Sequence, residues 1–315
     1  MNQIVQQVSA YAERTDEQDK LLEFNYKAPG TIRRQNTQWR LWEVWATEQG
    51  IDPLPVKNTD FARYLTEQAK TYTPATLNVR FFGVCGALRD QGLPSPADEK
   101  RMLLFLHKCQ GEAVKRGSEP VKGLRASDMP FIRAAGRKIG KWREVAFIAL
   151  ARDALMRPAE ISELRWKNLE TSDDGSGLVT IARSKTDRAG KGAVMWVSPA
   201  TMEDCALWKE HAPVISARER RRIDDRMFVI SPSAISHAVE TLCKQAGLKG
   251  NYSGKSCRIG MAEDLTEAGF SMTELMIAGR WKSPAMPMHY ARNIAPPRGP
   301  VARFTERCEK ESQPC

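Results

Sequence analysis

The 315-residue chain contains no run approaching the ~18 consecutive apolar residues that a membrane-crossing helix requires, so no span is expected. Its N-terminus, MNQIVQQVSAYAERTDEQD, lacks a basic stretch followed by an apolar block, and a secretory leader is not expected. Histidine is scarce. The four present, His107, His211, His237 and His289, fall at no metal-ligand spacing. The seven cysteines (Cys85, Cys109, Cys205, Cys243, Cys257, Cys308, Cys315) are scattered, and none forms a CxxC pair. Neither a disulfide framework nor a zinc site is expected, and a reducing, cytoplasmic setting fits best. Asp173-Asp174 and Asp224-Asp225 are the acidic pairs that a metal-dependent nuclease could use. They sit in turn-like polar stretches and read as solvated loops, so no metal and no cofactor are expected. Internal repeats and low-complexity tracts are also lacking.

What is present describes a folded chain. Hydrophobic residues make up 42% and charged residues 27%, which argues against intrinsic disorder. The length suits about two domains. The formal net charge is +10, unevenly spread. Residues 1–117 carry 16 basic and 14 acidic side chains, and residues 118–315 carry 32 and 24. A surplus gathered in one part suits a polyanion such as nucleic acid, although a basic surface that only keeps the protein soluble has the same composition.

The first twenty or so residues are polar and weakly patterned, and read as a loose arm or a frayed helix. Helical patterns follow near 31–48, 58–70, 74–91 and 97–116. The first of these carries an apolar stripe of Trp39, Leu41, Trp42 and Trp45. Breaks such as QGIDPLP and QGLPSP separate them, and no β-like alternation appears before residue 118. The segment 118–126 reads as a linker. Helix patterns resume at 127–138 and 142–156. Two β-prone runs, 178–183 and 193–198, flank SKTDRAGKG and read as a hairpin. The rest is helical, with breaks at Gly247, Gly269 and Gly279.

Three stretches carry the candidate chemistry. In ALMRPAEISELRW, Pro158 pushes Arg157 out of the helical region and suits a first helical position. Arg157 then sits at a helix N-terminus, a ready phosphate site, with Glu160 in the first turn. In YSGKSCRIGMAEDLTEAGF, Lys255 and Arg258 are three apart and share one side of a helix opened by Ser253 and Gly254. In SMTELMIAGRWKSPAMPMHYARN, Ser271 and Glu274 match a capping box, Gly279 ends a short helix and Ser283-Pro284 starts another. Trp281 falls in the turn between them, and Tyr290 lies near the end of the second helix. Each piece alone has an ordinary structural reading: a helix cap, a solvated basic face, a half-buried packing residue.

In order, the chain holds Arg-x-x-Glu, a Lys in a β-hairpin loop, Lys-x-x-Arg, Gly-x-Trp and a Tyr nine residues later. This series resembles the tyrosine recombinase (phage integrase) family, and Trp281, where many relatives have His, draws it towards the Cre-like branch. The resemblance implies a fold that is mainly α with a small β-hairpin or sheet in the catalytic domain (α+β), in a two-domain C-clamp architecture. It implies a flexible arm (1–20), a helical SAM-like core-binding domain (21–117), a linker (118–126) and a catalytic domain (127–315). The C-terminal helix, VARFTERCEK with Phe304 as its anchor, would be exchanged between subunits.

The resemblance also implies roles. Tyr290 is the nucleophile that forms a 3′-phosphotyrosine. Arg157 and Arg258 clamp the non-bridging oxygens, and Glu160 supports them. Lys185, with Lys191 as a weaker rival, protonates the leaving 5′-oxygen. Trp281 contacts the phosphate, and Lys255 stands where His is usual. Arg33, Arg34, Arg40 and His237 are candidate DNA contacts, His237 on a helix that resembles the one entering the major groove. The implied partner is double-stranded DNA with inverted-repeat sites, bound by a homotetramer of a bacterial, phage- or plasmid-encoded protein. The implied activity is site-specific recombination through a Holliday junction, without metal or ATP. A non-catalytic DNA-binding regulator that kept the fold is the alternative, and Lys255 keeps it open.

Overall fold

The computed structural model describes residues 27–114, 119–182, 192–213, 223, 225–291 and 300–311. The chain divides into two compact units, Met1–Ser118 and Glu119–Cys315. The expected arm over 1–20 lies outside the described residues.

The described part of the first unit is helical: α1 (Pro29–Glu48), α2 (Asn58–Ala69), α3 (Pro74–Asp90) and α4 (Lys100–Glu112). The 97–116 pattern begins later than expected because Pro96–Asp98 forms a separate 3-10 turn capped by Ser95. Thr73 caps α3, accepting from the Thr76 amide at 3.4 Å, with Pro74 as the first helical residue. The aromatic stripe of α1 is the centre of this core. Trp42 is fully buried and meets Phe61 and Tyr64 edge-on, with ring centroids 5.4 and 5.5 Å away. Both buried indoles keep a hydrogen bond: Trp42 Nε1 donates to the Pro53 carbonyl (3.0 Å) and Trp45 Nε1 to Glu67 Oε2 (2.6 Å). Burying each large ring contributes about 1.5–3 kcal/mol. Arg33, Arg34 and Arg40 lie on exposed positions of α1.

The second unit starts inside the segment expected to be a linker. Lys122 N–H donates to the Asn251 carbonyl and Leu124 N–H to the Ser256 carbonyl, both at 2.8 Å, and Leu124 is fully buried. This end of the segment is therefore built into the unit. Helices α5 (Met129–Lys138) and α6 (Trp142–Asp153) follow. Every residue of α6 from Glu144 to Arg152 is buried, as expected of a helix whose centre, VAFIALA, is apolar on all sides. After α7 (Pro158–Ser162) comes a three-stranded antiparallel sheet in the order β1 (Leu169–Thr171), β2 (Gly177–Ile181), β3 (Ala193–Val197). The β2–β3 hairpin matches the sequence expectation, with Ile181 opposite Ala193. Strand β1 was not expected. Its three residues are too few to display alternation. Val179, Ile181 and Val197 face the core, while Leu178, Val194 and Trp196 are exposed. Asp174 Oδ1 accepts from the Ser176 amide (3.0 Å), so that acidic pair shapes the β1–β2 turn.

The remaining helices are α8 (Pro199–His211), α9 (Pro232–Gln245), α10 (Ser256–Glu267), α11 (Met272–Gly279), α12 (Ala285–Ala291) and α13 (Pro300–Glu311). The larger core joins α5, α6, the sheet and α9 through Phe147, Ile148, Phe228 and Ile235. A smaller apolar cluster joins Leu155, Ile259, Ala262, Leu275, Trp281 and Tyr290. No helix among the described residues is long and apolar enough to cross a membrane.

Candidate active site

Arg157 has the extended backbone that a following proline imposes (φ −87°, ψ 153°), and α7 begins at Pro158. Glu160 turns back onto it. The Arg157 amide donates to Glu160 Oε2 (2.9 Å), and Arg157 Nη1 donates to Oε1 (2.7 Å). Oε2 also accepts from Arg280 Nη2 at 2.9 Å. Burial pushes the Glu160 carboxyl up, but the Arg280 guanidinium and the hydrogen bonds from Arg157 outweigh it. The carboxyl is held below its usual range.

Arg258 enters from the first turn of α10 and is 4% exposed. Its Nη1 donates to the Leu155 carbonyl and its Nη2 to the Gly279 carbonyl. Its guanidinium carbon lies 4.5 Å from the Trp281 ring centroid. Burial, then Arg157 and Arg280, push its pKa down to about 10. It is still a cation at neutral pH.

The turn before α10 is pressed against α7. A Cβ on Gly254 would lie 2.6 Å from Pro158 Cγ and 2.7 Å from Ser236 Oγ, so only glycine fits. That approach brings the start of α10 to Arg157. Lys255 and Arg258 nevertheless differ from the expected shared face. Lys255 is the N-cap, outside the first helical residue, and its side chain is exposed.

Gly279 also has a different reason from the one expected. It is still helical, and the left-handed residue that ends α11 is Arg280 (φ 53°, ψ 44°). A Cβ on Gly279 would lie 2.0 Å from the Trp281 ring, so the glycine makes room for the indole. Trp281 is 9% exposed and meets Tyr290 of α12 edge-on, with centroids 5.9 Å apart. Tyr290 is 6% exposed. Its phenol pKa is raised above the usual value: burial pushes it up, and Arg258 and then Arg157 offset only part of this. His289 is exposed while its neighbour is buried, as expected of adjacent helical positions.

Arg157, Glu160, Arg258, Trp281 and Tyr290 thus come together in the second unit. Arg280 is the member that sequence reasoning missed. It is the unspecified residue of Gly-x-Trp, and the glycine before it already accounted for the helix end. Among the described residues, three guanidinium groups face one carboxylate beside a buried phenol, an excess of positive charge suited to a phosphate diester. Lys185 and Lys191 lie outside the described residues, between β2 and β3. His237 is exposed on α9, 3.9 Å from Glu240. On α13, Phe304 is exposed and Arg303 Nη1 donates to the Glu267 carbonyl (3.1 Å) at the end of α10.

The sequence profile of the phage integrase family matches residues 124–295. The chain belongs to the phage integrase family, the tyrosine recombinases. Among curated proteins this integrase-family chain is similar to "Recombinase cre" of Escherichia phage P1, at 26% identity over 294 residues, covering 85% of each chain. Its fold is shared with the Tn1549 transposon integrase solved with transposon right end DNA (TM-score 0.62, 13% identity, 94% of this chain and 98% of that one). It is shared also with a lambda integrase dimer bound to a COC′ core site (TM-score 0.58, 17% identity, 91% and 77%).

Proposed function

We propose that this tyrosine recombinase cuts and rejoins DNA at specific inverted-repeat sites through a 3′-phosphotyrosine at Tyr290. The observation that carries the reading is the buried Tyr290 phenol packed on Trp281, with Arg258 against the same indole and Arg157 close enough to act on both. The DNA in the complexes of the Tn1549 and lambda integrases supports the choice of partner.

A phosphodiester under attack spreads negative charge over its non-bridging oxygens. Catalysis then needs position and fixed positive charge more than covalent chemistry from other groups. Arg157 and Arg258 present planar forks for two of those oxygens. The Tyr290 oxygen bonds to phosphorus as the bond to the 5′-oxygen breaks. The phenolic proton passes to water, and Lys185 supplies a proton to the leaving oxygen. Lys255, exposed at the start of α10, donates to a phosphate oxygen in place of an imidazole. The ester keeps the bond energy, so the reverse attack by a 5′-hydroxyl rejoins strands without ATP or metal. A homotetramer performs this in two rounds through a Holliday junction, each protomer using its own tyrosine.

The test selects a preferred duplex from a random inverted-repeat library and nicks it so that cleavage cannot reverse. Wild type is expected to give a covalent protein–DNA band on a denaturing gel, and Tyr290→Phe none. Lys255→Ala is expected to cleave more slowly. Tight binding with no covalent band in wild type would instead identify a silent DNA-binding regulator.

A further inference from the structure

Arg280 occupies a backbone conformation that L-residues avoid. Its φ is 53°, and among the described non-glycine residues only Leu155 (46°) and Asp225 (50°) share the left-handed region. Two of these three outliers meet each other, because Arg280 Nη2 donates to the Leu155 carbonyl at 3.1 Å. The same carbonyl accepts from Arg258 Nη1. Arg280 Nη2 also reaches the Ala154 carbonyl (3.3 Å) and Glu160 Oε2 (2.9 Å). Glu160 in turn holds Arg157 by its amide and by Nη1.

This arrangement is a poor device for stability. A glycine would end α11 without strain. Arg280 Nε and Nη1 are buried, with no hydrogen-bond partner among the described residues. A buried guanidinium with unmet donors, beside two other guanidinium groups, opposes folding. Strain and unmet polar groups gathered at one place are an observation from which function can be argued.

We infer that Arg280 is a positioning residue that couples the two halves of the arginine clamp, bracing Arg157 through Glu160 and Arg258 through the shared Leu155 carbonyl. The inference rests on the recombinase reading above. Arg280 need not touch DNA. Its work is to keep two forks at a fixed separation while the phosphate between them changes geometry. The like charges of Arg157 and Arg258 oppose that arrangement.

The test uses the full chain, its selected duplex and the nicked substrate, with Arg280→Gly and Arg280→Gln. Both variants are expected to bind the intact duplex as wild type does. Both are expected to form the covalent complex about 10²-fold more slowly, the loss typical of a mispositioned catalytic group. Millimolar guanidinium chloride, compared with matched sodium chloride, is expected to restore cleavage by Arg280→Gly. It should not restore Arg280→Gln, whose side chain fills the space. Thermal melts identify a variant that has not folded, and the other then decides. A folded variant that cleaves as fast as wild type overturns the inference. So does one that loses binding in step with cleavage, since that marks a DNA contact. If wild type binds but forms no covalent complex, the recombinase reading itself has failed and takes this inference with it.

Discussion

Helix α10 carries a cluster of charged side chains at each end, and the two are built on opposite principles. At its C-terminal end, Arg125 donates to Asp264 and Glu267, with Glu263 3.7 Å away, and Arg152 donates to Asp264. Two arginines face three carboxylates, and neither arginine has a buried nitrogen left without a partner. At the N-terminal end, Arg157, Arg258 and Arg280 share one carboxylate among the described residues, Glu160. Arg258 is satisfied only by carbonyls, and two nitrogens of Arg280 by nothing among the described residues. The first cluster ties residue 125 and α6 to α10 and needs nothing from outside. Among the described residues the second keeps an excess of positive charge, which an anion such as a phosphate diester would offset. Within a single helix, the balance of charge separates a structural network from a site.

Breaking each end should therefore give opposite phenotypes. The largest effect is expected from Arg258→Lys, which keeps the charge but loses the fork. Cleavage of the nicked duplex should fall by on the order of 10²–10³, the range for losing one preorganised donor, while DNA binding persists. Asp264→Ala leaves Arg125 and Arg152 under-compensated. Allowing for partial exposure, it should cost about 2–3 kcal/mol, read as a lower melting temperature, with cleavage per folded molecule unchanged. If Asp264→Ala slows chemistry as Arg258→Lys does, the contrast between the two ends is wrong.

Glu160→Gln sharpens the comparison through pH. The Glu160 carboxyl is depressed in the folded protein, so its ionised form adds stability above the unfolded value of about 4.3. That contribution is lost as pH falls below about 4.3 towards the lower folded value. The melting-temperature gap between wild type and Glu160→Gln should be widest near neutral pH and close as the medium is acidified. A gap that stays constant would mean that Glu160 is not held by its arginines.

Most of this scaffold was legible in the sequence. Helices α1 to α3, α5 and α6 begin and end within a few residues of their periodic patterns, because Pro74 and Thr73, or Gly50 and Gly92, mark their ends chemically. The family motif brought Arg157, Arg258, Trp281 and Tyr290 to one place despite separations of over a hundred residues. The failures have local causes. Strand β1 is three residues long and is specified by pairing with β2, which no local pattern encodes. Residues 121–125 look like a tether because their hydrogen bonds go to Asn251 and Ser256, far along the chain. Arg280 was hidden by its neighbour. A glycine before a helix end suggests the left-handed residue, whereas Gly279 is small for Trp281 and the arginine bears the strain.

The smallest expected effect concerns the near-neutral first unit, whose 16 basic and 14 acidic residues over 1–117 give little field of their own. Arg33, Arg34 and Arg40 are exposed on α1, and either meet phosphates or only solvent. Charge alone does not separate these cases, but salt does. Each phosphate contact releases counterions and contributes about 0.9 to the slope of log K against log salt. Replacing all three with alanine should lower that slope by about 1–3 if they contact the backbone, without altering the cleavage rate of DNA already bound. His237→Ala supplies the opposite control: an exposed histidine on α9 that reads bases should change which sequences are selected and leave the salt slope where it was. A slope unmoved by the triple substitution would return the three arginines to a solvated face and leave the second unit, with its eight surplus positive charges, as the seat of the electrostatic attraction.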